Sequence, residues 1–63
     1  MRGFIFRSIR SVMRKSADFI SIGSISQKCS LPYSVVDAAL SRMLDDGEVD
    51  QEPFLVDFYK IKH

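Results

Sequence analysis

The chain has few of the residues that staple small proteins together. Its 63 residues include one cysteine, Cys29, and one histidine, His63. No internal disulfide can form, and no Cys/His set exists for a zinc site, so neither a metal nor another cofactor is expected. Glycine (3) and proline (2) are sparse and isolated, and hydrophobic residues make up 46%, which excludes low-complexity disorder. No apolar run approaches the length of a membrane span or secretory signal, so no membrane role is expected. Catalytic groupings are also missing. No glycine-rich phosphate loop follows a strand, and no paired carboxylates stand beside a plausible base, so the chain does not read as an enzyme. Cys29 lacks a basic partner, with His63 at the last position, and reads as a small buried hydrophobe.

Size sets a second limit. At this length only about 60% of the unfolded surface is buried on folding, so one small core is all the chain can build. Residues 1–63 read as a single domain. The opening MRGFIFRSIRSVMRKS is rich in Arg and Ser and free of acids, as in organelle transit peptides. Removing it would leave too short a chain for a comfortable core, so it is assigned to the domain.

Charge is unevenly spread. The net charge is +1, yet residues 1–31 hold Arg2, Arg7, Arg10, Arg14, Lys15 and Lys28 against Asp18 alone, a balance of +5. Residues 32–63 hold three cations against seven acids, a balance of −4. The folded molecule should therefore carry one basic and one acidic side.

Periodicity predicts three helices. From Gly3 to about Lys15, Ile5, Phe6, Ile9, Val12 and Met13 fall within an arc of roughly 120°, with Arg7, Arg10 and Arg14 opposite. A membrane-surface helix would look similar, but this stripe is only about three turns long and has the rest of the chain to pack against. Ile20 and Ile22 predict a brief extended piece, after which Ser21 or Ser24 caps a helix over about 22–29 with Ile22, Ile25 and Cys29 on one face. Ser30, Leu31 and Pro32 break the chain, since proline disfavours helical geometry before it and suits the first turn of a new helix. The third helix, about 33–46, repeats apolar residues at Val36, Ala39, Leu40, Met43 and Leu44, and Gly47 is its stop signal. Val49 and Gln51 then predict one strand, Glu52 to Val56 a loop, and Asp57 to Ile61 a second strand.

This order, with Ile22, Ile25, Cys29-Ser30-Leu31 at a turn, Val36, Ala39-Leu40, Met43-Leu44, Gly47, Val49 and Tyr59, resembles the winged helix-turn-helix domains of small bacterial and phage transcription regulators. The expected fold is mainly α with a small antiparallel β-hairpin: three helices and a wing over about 48–61. The resemblance implies a cytoplasmic transcriptional regulator that docks its third helix in the major groove of double-stranded DNA; small size, weak reading chemistry and spare apolar residues point to a homodimer. Lys28, Tyr33, Ser34, Asp37, Ser41, Arg42 and Lys60 are the candidate DNA contacts. Asp37 can accept from a cytosine amino group, and Val35 and Ala38 can touch a thymine methyl, each contact discriminating by at most ~1–3 kcal/mol.

Two departures from that family point elsewhere. Its helix-turn-helix corner often holds Gly where this chain has Ser30. Its reading helix is usually studded with Arg, Lys, Asn or Gln, whereas the outer positions here are Tyr33, Ser34, Val35, Asp37, Ala38, Ser41 and Arg42. The wing stretch QEPFLVD carries two acids and three apolar residues, and either its tip is exposed or the loop folds back and buries Phe54. The alternative function is a protein-interaction module with an acidic third-helix and wing face, in which Phe54 and Leu55 contact a protein partner.

Overall fold

A computed structural model describes residues 2–62. The chain runs through α1 (Arg2–Lys15), β1 (Ile20–Ser21), α2 (Ile22–Cys29), α3 (Tyr33–Asp45), β2 (Val49–Gln51) and β3 (Phe58–Ile61). The three helices and the β2–β3 wing form a winged helix-turn-helix-like architecture.

Helix α1 buries Ile9 and Met13, one turn apart, while Ile5, Phe6 and Val12 pack half-buried along the flanks. Arg14 and Lys15 occupy its last turn, where positive charge suits the helix dipole. Ser21 is the N-cap of α2, its hydroxyl accepting from the Ser24 N–H at 3.1 Å. Ile22 and Ile25 face the core, and Cys29 is only half-buried, less covered than the sequence suggests, because it lies in the last turn before the chain reverses.

The turn between α2 and α3 closes on Ser30, which is left-handed at φ 55°, ψ 40°. Its N–H reaches the Gln27 carbonyl at 3.4 Å, and the Leu31 N–H reaches the Ser26 carbonyl at 3.1 Å. This pair of bonds is the Schellman closure of a helix, which satisfies carbonyls the helix leaves open. The Ser26 hydroxyl in turn donates to the Leu31 carbonyl. Pro32 is the N-cap of α3, which starts at Tyr33 as expected, and its carbonyl accepts from Val35 and Val36 at 3.1 and 3.2 Å.

Helix α3 buries Val36, Ala39, Leu40 and Met43, with Leu44 half-buried. It ends as α2 does: the Gly47 N–H bonds the Leu44 carbonyl and the Glu48 N–H bonds the Met43 carbonyl. Here the left-handed position, φ 78°, is held by glycine.

The sheet has one strand more than the hairpin expected from sequence. β3 lies in the centre, antiparallel to β1 (Ile20 opposite Tyr59, Ser21 opposite Phe58) and to β2 (Val49 opposite Ile61, Asp50 opposite Lys60, Gln51 opposite Tyr59). The third strand matters because a lone two-stranded hairpin is marginal in water. Ile20, Val49 and Tyr59 turn inward and close the core formed by the three helices.

Candidate functional site

Helix α3 has three solvent-side aspects, fixed by its buried row. With successive residues turned by about 100°, Ser34, Ala38, Ser41 and Asp45 lie opposite that row. All four are exposed, and none is cationic. On the flank toward the wing lie Tyr33 and Asp37. Both influence the Tyr59 hydroxyl, whose pKa is pushed up first by burial and then by Asp37, Tyr33 and Asp57. The other flank carries Val35 and Arg42 toward α1, with Ala38 at the border between it and the opposite face.

The cations expected to meet DNA are dispersed. Arg42 is exposed, but its Nε lies 3.6 Å from Asp46 Oδ2, an i, i+4 ion pair along α3. Lys28 lies in the last turn of α2, beside Lys15 at the end of α1 and Ser16 after it. Lys60 alternates with buried Tyr59 and so lies on the outer face of the sheet, its ammonium 5.8 Å from the centre of the Phe19 ring. Tyr33, Ser34, Asp37 and Ser41 do share the exposed side of α3, which gives a polar to acidic surface without a cation of its own.

The wing tip is exposed. Phe54 is 92% accessible, Leu55 53% and Val56 66%. The loop that displays them is tied down at several points. Gln51 Nε2 donates to the Val56 carbonyl at 2.6 Å and to the Tyr59 hydroxyl at 3.2 Å. The Phe54 N–H donates to Glu52 Oε1, the Phe58 N–H to the Leu55 carbonyl, and the Ile22 N–H to the Asp57 carbonyl. Glu52 and Asp57 bracket the three apolar side chains. Of the two arrangements the sequence leaves open for this loop, the exposed one is adopted.

A concave feature lies between α1 and α3. It is a groove of about 530 Å³ lined by Ile5, Phe6 and Arg10 of α1, by Val35, Ala38, Ala39 and Arg42 of α3, and by Asp46 and Glu48. Arg10 closes one side with a two-pronged bond to Glu48, Nε to Oε1 at 3.0 Å and Nη2 to Oε2 at 3.1 Å. Nothing in the sequence marks this groove. Arg10 reads as one of a row of solvated arginines and Glu48 as a turn acid, and only the packing of α1 on α3 makes them neighbours. Val35, an outer position by sequence, is half-buried here.

Cys29 is a half-buried thiol whose pKa is pushed up by burial, the opposite of the activation a nucleophile needs. His63 lies outside the described residues. Among the described residues no His, Cys, Asp or Glu cluster is arranged to hold a metal ion, and no helix is long and apolar enough to cross a membrane. No family model, curated protein or solved structure matches the chain. The winged-helix description therefore rests on the element order, the two helix closures and the wing.

Proposed function

We infer that residues 1–63 work as one winged-helix domain whose role is to bind protein, with the Phe54-Leu55-Val56 wing tip as the principal contact. The carrying observation is the exposure of three adjacent large apolar side chains on a loop held by its own hydrogen bonds. Exposed apolar surface concentrated on so small a protein is the signature of an interaction site. A loop already ordered before binding also loses less conformational freedom when it docks. The acids beside it, Glu52, Asp57 and Asp37, favour a partner with a basic rim around an apolar recess.

Double-stranded DNA is the second reading, supported by the architecture and by the approach of Lys15 and Lys28 at the ends of α1 and α2. Against it stands the chemistry of α3 and the wing. Affinity for a duplex comes mainly from neutralising phosphates. Asp37, Asp45 and Asp57 surround the helix that would enter the groove, and Arg42 is engaged with Asp46.

Titration with mixed-sequence duplex, followed by backbone amide shifts at low salt, separates the two. The protein-binding reading expects small shifts confined to α1 and Lys28 that disappear as salt is raised. Shifts centred on residues 33–42 that persist at moderate salt would reverse the order of the readings.

A further inference from the structure

On the basis of the wing-tip reading, we propose that the partner of the tip is a second copy of this chain, which receives Phe54 and Leu55 in its α1–α3 groove. The donor and acceptor surfaces are distinct. The tip is tied through Gln51 to Tyr59, the phenol on which Tyr33 and Asp37 of α3 act, whereas the groove takes the other flank of α3, with Val35 and Arg42. The Gln51 bonds hold the tip in the wing, so a molecule does not fill its own groove.

Size and charge both match. The groove, about 530 Å³, falls in the roughly 300–1,000 Å³ range of clefts that enclose a compact ligand, and Ile5, Phe6, Val35 and Ala38 give it apolar walls. Arg10 and Arg42 at its edges are engaged with Glu48 and Asp46, so they add little net attraction. The attraction comes from the next residues in the α1 row. Arg7 and Arg14 stand three and four positions from Arg10, are exposed, and take part in no ion pair among the described residues. Glu52 and Asp57 bracket the tip with the opposite charge. The separation of a basic first half from an acidic second half thus becomes complementarity between the two ends of the contact.

The geometry of such a contact dictates its assembly behaviour. Tip into groove joins unlike surfaces, so two copies either exchange tips reciprocally in a closed two-fold dimer or leave one tip and one groove open for further growth. One loop in one groove covers less than the ~1,200 Å² of a stable interface, so the contact is weak and reversible.

The test uses the full chain and two variants at exposed positions, Phe54→Ser to disable the tip and Ala38→Glu to block the groove. Unchanged amide spectra outside the altered sites show that each keeps its fold. In sedimentation equilibrium at low salt, the wild-type average mass should climb with concentration above that of one chain, levelling at two chains where tips are exchanged reciprocally and climbing further where they are not, and fall back as salt is added. Each variant alone should stay monomeric. Their equimolar mixture should associate and stop at two chains, because one supplies the only intact tip and the other the only intact groove.

A wild type that is monomeric throughout overturns the second-copy assignment and leaves the wing tip to another protein. Association that Phe54→Ser leaves intact overturns the wing-tip reading as well. Association lost in Phe54→Ser but retained in Ala38→Glu, or a mixture that fails to pair, overturns the groove as acceptor.

Discussion

Arg10 and Glu48, 38 residues apart in sequence, meet through two parallel hydrogen bonds that join the middle of α1 to the residue preceding β2. Bidentate guanidinium–carboxylate pairs are the more effective kind of ion pair, but both side chains are about one-third exposed, so a surface-pair magnitude applies. The guanidinium also lies 5.8 Å from the centre of the Phe6 ring. Arg10→Ala should destabilise the domain by about 1 kcal/mol in urea titration, with a coupling to Glu48→Gln of about 0.5–1 kcal/mol in a double-mutant cycle. Arg10→Lys, which keeps the charge but not the fork, should recover less than half. A coupling near zero at low salt would mean that the pair contributes nothing to holding α1 on the wing.

The same helix closure occurs twice, on Ser30 after α2 and on Gly47 after α3, and the two should respond to substitution with opposite sign. Ser30 has a left-handed backbone and is exposed, and among the described residues its side chain makes no hydrogen bond, so glycine there relieves steric cost without forfeiting one. Ser30→Gly should stabilise by about 0.5–1 kcal/mol, raising Tm by roughly 2–8 °C at this size. A Cβ at Gly47 would meet nothing within 4 Å, so the cost of Gly47→Ala is that of the backbone alone, about 1 kcal/mol of destabilisation. Thermal melts of the two variants test this directly, and a loss of stability in Ser30→Gly would refute the strain.

How much of this was readable in advance follows from how local each signal is. Helix spans, a serine cap at Ser21 or Ser24 and the Gly47 stop are written in neighbouring residues, because 3.6-residue periodicity and capping act over a few positions. The β1–β3 pairing was not, since Ile20 and Tyr59 are brought together only by the whole fold. The site divides the same way. QEPFLVD announced an apolar, acidic wing, but whether Phe54 faced solvent depended on where Gln51 sends its amide. The α1–α3 groove was invisible because its walls come from segments about 30 residues apart: Ile5 and Phe6 read as core on α1, Val35 and Ala38 as outer positions on α3, and only the packing of the two helices leaves a recess between them.

Tyr59 gives the fold a pH dependence on the alkaline side. Burial, followed by the nearby Asp37, Tyr33 and Asp57, raises its pKa above the ordinary value of 10.0. Below that value both folded and unfolded chains keep the phenol proton, so the contribution to stability is constant. Above it the unfolded chain gives up its proton first, binds fewer protons than the folded one, and is favoured as pH rises. Wild type should lose stability beyond about pH 10 more steeply than Tyr59→Phe. At neutral pH the variant should be weaker by about 1 kcal/mol, because Gln51 loses its phenolic acceptor. Parallel stability curves for the two proteins through the alkaline range would show that the phenol is not held in its neutral form.

Gln51 distinguishes what the wing tip touches from how the tip is held. Its amide bonds the Val56 carbonyl and the Tyr59 hydroxyl, yet the residue is not itself one of the three apolar side chains displayed. Gln51→Ala should therefore cost about 1–2 kcal/mol of stability for the two lost bonds, and should leave Phe54, Leu55 and Val56 in place but loosely ordered. Amide exchange at Phe54 and Phe58, whose N–H groups are bonded within the loop, should quicken more than exchange in α3. If contact alone governs association, the variant should bind as wild type does. If pre-organisation matters, self-association should weaken several-fold with every contacting side chain still present, because the loop must then be ordered at the moment of docking. The comparison with Phe54→Ser, which removes the contact and leaves the loop tied, gives the share of each. A Gln51→Ala variant that associates undiminished, while its tip amides exchange freely, would dismiss pre-organisation and leave side-chain burial as the whole of the driving force.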